Sequence, residues 1–298
     1  MIRLNSFVAI ICVLSLFACK EAYKNNEKVI GYDLTTSNVA FILPDILHEI
    51  SGITYVDSNL LACIQDEKGI LFFYDWKQNE ILKQYAFHIN GDYEGITRVD
   101  KTFYVLRSDG TLFEIINYES DSIRMNSYVT GIPANNNEGL CYDRDNNRLL
   151  IGSKGKIDKG PEYKDRRVIY SFDLATKTMS EEPVFDFNLQ HIKAFAAEQK
   201  VNLPNKSRKK GKITEPVIKF MTSDIGIHPK TKKLFLLSAT DHLLFIFNRN
   251  GRIEHIEQLD PELFNKAEGI TFLPEGDLFI TNEGQNGRPT LLHFEYKR

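Results

Sequence analysis

The chain is short of the residues that build covalent or strongly charged scaffolds. Only four cysteines occur in 298 residues, and two of them, Cys12 and Cys19, fall within the first twenty positions. Cys63 and Cys141 stand alone in apolar, strand-like surroundings with no partner at metal-ligand spacing, which points to buried free thiols rather than a disulfide or a zinc site. The formal net charge is −3, without the basic excess that binding to a phosphate backbone requires, so nucleic acid is not an expected partner. One basic run, Lys206 to Lys212, has no interleaved aromatic residues and reads as a solvated loop. Catalytic signatures are missing too: there is no Gly-x-Ser-x-Gly, no glycine-rich phosphate loop and no His-Glu-x-x-His.

The N-terminus has a different character. Arg3 precedes an apolar run from Phe7 to Phe17, too short for a spanning helix and built like the h-region of a signal peptide. Leu16-Phe17-Ala18-Cys19 resembles a lipobox, in which a small residue precedes a cysteine that is acylated and becomes the mature N-terminus; Phe17 is bulkier than that pattern prefers, and an ordinary signal peptide is the alternative. The division is therefore a lipoprotein signal over residues 1–18, a lipidated tether over 19–30, and a folded domain over 31–298. Lipid attached at Cys19 anchors firmly, since each buried methylene contributes about 0.8 kcal/mol. The expected location is the bacterial cell envelope, as an outer-membrane or cell-surface lipoprotein, and the expected state is a monomer.

Internal repetition identifies the fold. Glu49-Ile-Ser-Gly-Ile-Thr-Tyr, Tyr93-Glu-Gly-Ile-Thr, Asn137-Glu-Gly-Leu-Cys-Tyr, Asp224-Ile-Gly-Ile-His and Ala267-Glu-Gly-Ile-Thr-Phe share one phrase. Their glycines, Gly52, Gly95, Gly139, Gly226 and Gly269, are spaced by 43, 44, 87 and 43 residues. Each phrase is followed by two more apolar runs, such as Phe103-Tyr-Val-Leu and Thr111-Leu-Phe-Glu-Ile, bounded by turn pairs such as Asp109-Gly, Asn250-Gly and Glu275-Gly. Several repeats add a more polar fourth run, for example Ile81 to Phe87. Four short strands in about 44 residues is the pattern of a propeller blade.

The predicted fold is thus an all-β, five-bladed β-propeller. The double period between Gly139 and Gly226 could hide a sixth blade. Its second half, however, has apolar residues at helical spacing from Leu189 to Val201, then the basic loop and Pro216, and it reads as a partly helical insertion, about 188–219, after the third strand of the middle blade. The last repeat ends without a fourth strand. Asn38 to Pro44 supplies a spare one, so the two chain ends are expected to pair and close the ring.

The phrases Glu49-Ile-Ser-Gly-Ile-Thr-Tyr, Asn137-Glu-Gly-Leu-Cys-Tyr-Asp and Ala267-Glu-Gly-Ile-Thr-Phe, in this order and spacing, resemble the SdiA-regulated family of bacterial envelope proteins over Leu47 to Lys297. The resemblance implies a five-bladed propeller, distantly similar to NHL-repeat propellers, with calcium bound at a shared site. It implies no defined biochemical activity.

The residue before each repeat glycine lies near one mouth of the central channel. Glu94, Glu138 and Glu268 occupy that position; Ser51 takes it in the first repeat, with Glu49 two residues earlier, and Ile225 takes it in the fourth, with Asp224 beside it. Carboxylates gathered around a narrow axis need protons, cationic partners or a metal. Calcium suits such an oxygen-rich set, making Glu49, Glu94, Glu138, Asp224 and Glu268 candidate ligands. The competing explanation is that each acid accepts hydrogen bonds from the next blade's backbone. A second register lies fourteen residues after each glycine: Asp66, Asp109, Ser153, Thr240 and Glu283. Ser153 and Thr240 read as turn caps, while Asp66, Glu67, Asp109, Glu283 and His228 are candidates for facing a ligand.

Two functional classes follow. The first is a calcium-stabilised binding module, held at the envelope and recognising a ligand or partner on a propeller face. The second is a calcium-dependent hydrolase, phosphoesterase-like or lactonase-like, using the channel carboxylates. Catalysis has no positive support in the sequence beyond the acids, with His48 and His228 the only histidines near the expected mouth. Metabolic labelling with a fatty acid tests the anchor: the wild-type chain should carry label and fractionate with membranes, and Cys19→Ala should do neither.

Overall fold

The computed structural model describes residues 30–118, 123–134, 136–207 and 214–297. The signal peptide and Cys19 lie outside the described residues, as does the tether apart from Ile30. The described residues form five antiparallel sheets set around one axis, a five-bladed β-propeller.

Strand β1 (Val39–Ile42) precedes blade one, which comprises β2 (Ile50–Tyr55), β3 (Leu60–Gln65), β4 (Ile70–Asp75) and β5 (Glu80–Ala86). Blade two comprises β6 (Tyr93–Val99), β7 (Thr102–Arg107), β8 (Thr111–Ile116) and β9 (Arg124–Val129). Blade three comprises β10 (Asn137–Asp143), β11 (Arg148–Ser153), β12 (Arg166–Asp173), β13 (Thr178–Met179) and β14 (Phe185–Asn188). After helix α1 (Leu189–Glu198) and a ribbon of β15 (Asn205–Ser207) and β16 (Thr214–Pro216) come the strands of blade four, β17 (Asp224–Ile227), β18 (Leu234–Ser238), β19 (Leu243–Phe247) and β20 (Ile253–Gln258). Blade five comprises β21 (Ala267–Phe272), β22 (Leu278–Asn282) and β23 (Thr290–Phe294), completed by β1. That closure pairs Val39 with His293 and Ile42 with Thr290, as the spare N-terminal strand led us to expect.

Among the described residues the double period holds no sixth blade, since β15 and β16 pair only with each other. The insertion does, however, leave one strand later than the sequence suggests. β13 and β14 both pair with β12, Met179 opposite Phe172 and Phe185 opposite Ile169, and together they make a fourth strand interrupted between Ser180 and Val184. Helix α1 begins directly after it, with the Asn188 side chain accepting from Gln190 N at 2.9 Å as its N-cap. It buries Leu189, Ile192 and Ala196 against blades three and four.

Apolar packing is divided among the blade interfaces. Each of five buried clusters joins one adjacent pair of blades, because a strand's two faces both meet a neighbouring sheet. Cys63 and Cys141 are free and lie within two of these clusters, and burial pushes the Cys63 thiol up to about 12.

The inner strands β2, β6, β10, β17 and β21 touch in succession around the axis. Their closeness explains the repeat glycine: a methyl at Gly95 would sit 2.6 Å from the Glu138 carbonyl oxygen, and one at Gly226 would sit 2.9 Å from the Phe272 ring. In four blades the residue before the glycine is a β-bulge. Tyr93 pairs with Arg107 and Gly95 with Leu106, leaving Glu94 extra, and Ser51, Glu138 and Glu268 are extra in the same way. Strand β17 has no bulge.

Blade four uses Asp224 instead. Its carboxylate is almost fully buried and accepts from Leu140 N of blade three at 3.3 Å, from Ile225 N at 2.8 Å and from Ile270 N of blade five at 2.9 Å. Burial pushes this carboxyl well above its ordinary range, opposed by the three amide donors. Both oxygens accept an N–H, so an amide in its place turns a donor toward a donor. Asp224→Ala should cost about 3 kcal/mol or more by stranding buried amides, and Asp224→Asn should also destabilise; denaturant midpoints measure both.

Candidate functional site: an acidic mouth

All five inner strands begin at one end of the channel and run to the other. The part of the channel beyond the repeat glycines, about 160 Å³, is lined by Ile53, Ile96, Leu140, Ile225 and Ile270, with Tyr55, Arg98 and Phe272 toward its far end. Bulge geometry swings the side chain before each glycine into the starting mouth and brings Glu94, Glu138 and Glu268 within electrostatic reach of one another. Ser51 in the equivalent position instead donates to the Tyr93 carbonyl at 2.7 Å, tying blade one to blade two.

Glu138 is 2% exposed. Its Oε1 meets Lys154 Nζ at 2.7 Å, while Oε2 is buried with no hydrogen-bond partner. Glu268 meets Lys266 Nζ at 3.4 Å, and the same amine bonds Glu283. Glu94 has no hydrogen-bond or ion-pair partner among the described residues. Burial, with Glu138, Asp92 and Glu268 adding repulsion, raises its carboxyl to about 9. Burial raises Glu138 to about 8 even with Lys154 beside it, and burial raises Glu268 as well. On the blade-one side Asp66 is raised to about 7 by burial and then by Glu49, Glu283, Glu67 and Asp92; its Oδ1 is a second buried oxygen without a partner.

The structure thus gathers Glu49, Asp66, Glu67, Glu94, Glu138, Glu268 and Glu283 around this mouth. Three other candidates are placed differently. The carboxylate of Asp224 is occupied by backbone amides. Asp109 caps its turn, accepting from Thr111 N at 2.9 Å and from the Arg107 guanidinium at 2.7 Å, and Arg107 holds its carboxyl down to about 2. His228 follows β17 and so lies at the opposite end of the channel. It is fully buried, its Nδ1 accepts from Lys230 N and Thr231 N, and burial lowers it to about 4, leaving a neutral turn-organising ring. Ser153, expected to cap a turn, instead donates to Asn137 Oδ1 across to β10 at 2.8 Å, and Thr240 sits in a short 3-10 turn.

Lys154, Lys266 and Asp92 were not foreseen. A register signal was present for two of them: Glu49, Asp92, Asn136, Ser223 and Lys266 all stand three residues before a repeat glycine, and all are polar. Lys154 follows Ser153 at a strand end and carried no such signal.

Calcium needs six to eight oxygens at 2.3–2.6 Å. As the side chains stand, no three His, Cys, Asp or Glu among the described residues converge closely enough to hold a metal ion. The donor chemistry does fit a hard cation, with two buried carboxylate oxygens unpartnered and more acids than amines at the mouth.

The sequence matches no protein family and no curated protein. Among solved structures the chain is similar to Myxococcus xanthus glutaminyl cyclase, with TM-score 0.52 and 13% identity over 87% of this chain and 95% of that one. It is also similar to streptogramin B lyase, with TM-score 0.47 and 12% identity over 86% and 97%, and to a chain of a nidogen–laminin complex, with TM-score 0.47 and 13% identity over 78% and 72%. These likenesses are of fold. The chain's own five sheets make it a β-propeller, a fold that its structural neighbours use in enzymes as well as in binding proteins.

The raised carboxyls set a pH dependence. Folding holds protons on Glu94, Glu138 and Asp66 at pH values where the unfolded chain has released them, so stability falls as pH rises from the ordinary glutamate value of 4.5 toward 9. In metal-free buffer the melting temperature should therefore drop between about pH 5 and pH 9. The double variant Glu94→Gln, Glu138→Gln should flatten that slope.

Proposed function

We propose that the chain is an envelope-anchored lipoprotein whose propeller binds calcium at the acidic mouth and presents that face to a ligand or envelope partner. The observation that carries the reading is Glu138 Oε2, a buried carboxylate oxygen without a donor, beside an unpaired Glu94. A buried acceptor in this state costs free energy that a cation would recover. Lys154 and Lys266 neutralise part of the cluster. Calcium entry on this reading requires Glu94, Glu138 and Glu268 to re-aim, displacing the amines toward solvent. Likeness of the repeat phrases to the SdiA-regulated family, in which a calcium site is shared, supports the same assignment.

The competing hydrolase reading requires an acid or base at this mouth. His48 lies at its rim, with its carbonyl accepting from Gly284 N at 2.7 Å, while His228 is at the other end. Phosphodiester and lactone substrates assayed with calcium present separate the two readings, and turnover that disappears with Glu94→Ala would favour the hydrolase.

Calorimetry of residues 20–298 with calcium and with chelator tests the site. Calcium at about one hundred times its dissociation constant should stabilise the fold by about 2.7 kcal/mol at neutral pH. The gain should shrink in acid as the carboxyls protonate, and Glu94→Ala with Glu138→Ala should abolish it. No heat and no shift in melting temperature would refute calcium binding.

A further inference from the structure

The chain enters the propeller on the face opposite the acidic mouth, and the topology requires it. Inner strands run away from the mouth, so the fourth strand of every blade runs back toward it. Strand β1 is a fourth strand, so the residues before Val39 must arrive from the far face. Tyr32 marks the point of entry: it is buried, its hydroxyl donates to the Gly276 carbonyl in the β21–β22 turn, and its ring packs on His228 and Tyr296 at 6.0 and 5.4 Å between centroids. Lys297 N donates to the Gly31 carbonyl at 3.0 Å beside it.

This far face is charged unevenly. The two turns that blade four presents there, 228–233 and 248–252, contain Lys230, Lys232, Lys233, Arg249 and Arg252 and no carboxylate. Offsetting acids come from neighbouring segments: Asp145 meets Arg249 at 2.7 Å and Lys232 at 3.6 Å, and Glu254 meets Lys233 at 2.9 Å. Arg144 is exposed and adds a cation with no ion pair among the described residues. A cavity of about 420 Å³ opens among Arg144, Arg148, Lys232 and Arg249, with Asp143 and Asp145 also in its lining. Lys230 Nζ lies 5.7 Å from the Tyr296 ring centre, which sets the basic turn directly against the point of chain entry. Asp57, Glu275 and Asp277 stand in far-face turns of blades one and five, whereas the two turns of blade four carry cations only.

We infer that this face docks on an anionic lipid surface, with headgroup phosphates taken by the blade-four turns and the adjoining cavity, and with the acidic mouth turned away from the membrane. Orientation rests on the lipid-anchored reading. Cys19 and Ile30 are separated by at most about 40 Å of chain, so an acyl group on Cys19 would tether the domain by its entry face. Charge acts in the same sense, because an anionic surface attracts the blade-four turns and repels the acids at the opposite mouth. The basic side lies to one edge, so the docked propeller tilts toward blade four.

Vesicle binding tests this without the anchor. Residues 20–298 retain the whole closed ring and the Ile30–Leu34 packing. This soluble chain should co-sediment with mixed phosphatidylglycerol–phosphatidylcholine vesicles at low salt, release as salt is raised, and ignore pure phosphatidylcholine. Replacing Lys230, Lys232 and Lys233 with Gln should weaken binding by roughly 100-fold, at about fivefold for each charge near the surface, with the melting temperature unchanged. A fluorophore on the Lys232→Cys variant should be quenched by a lipid-borne quencher, and one on Glu67→Cys should not. Absence of phosphatidylglycerol binding, equal binding to phosphatidylcholine, or undiminished binding by the triple variant would each overturn the inference, whatever soluble polyanion the chain retains. Fatty-acid labelling of the full chain at Cys19 reads the anchor separately, so loss of one result leaves the other standing.

Discussion

The close approach of neighbouring inner strands at the repeat glycines governs the rest of this molecule. At Gly95 the next blade's backbone is so near that a methyl would overlap the Glu138 carbonyl. In four of the five blades the residue before that glycine is displaced as a bulge, and in three of them the displaced residue is a glutamate of the mouth. Glu94, Glu138 and Glu268 thus converge beside the glycines at which the ring is tightest. Blade four shows what happens without the bulge: its strand is straight, Ile225 packs into the core between blades three and four, and Asp224 spends its carboxylate joining three inner strands.

Much of this architecture could be read from spacing. Regular glycines, short apolar runs and turn pairs predicted the blades, and the missing last strand predicted closure by the segment around Val39. What could not be read depended on direction and on long-range contact. His228 follows an inner strand, and only the running direction of that strand places it away from the acids. The fourth strand of blade three is split by Ser180 to Val184, which breaks its pattern and made the insertion look as if it began one strand early. Lys154 and Lys266 neutralise acids that the repeat placed beside them; the register before the repeat glycine marks Lys266, but nothing in its local sequence marks Lys154 as a partner.

The mouth is balanced electrostatically at a cost. Lys154 and Lys266 each serve a carboxylate of the ring, yet Glu94 and one oxygen of Glu138 remain without a partner in a partly dry environment. Such a cluster lowers stability unless it is protonated or joined by a cation, and the five interblade cores must carry that load. Unfavourable electrostatics concentrated at one end of a rigid scaffold is the usual mark of a site shaped for something other than folding.

Closure through β1 has a temporal consequence. Val39 to Ile42 emerge in synthesis long before their partners on β23, Thr290 to Phe294. The ring therefore cannot shut until nearly the whole chain is available, and folding must wait on its most distant contact. A growing chain of this topology stays open, with blade five unfinished and its neighbours unclamped, until β23 has been made.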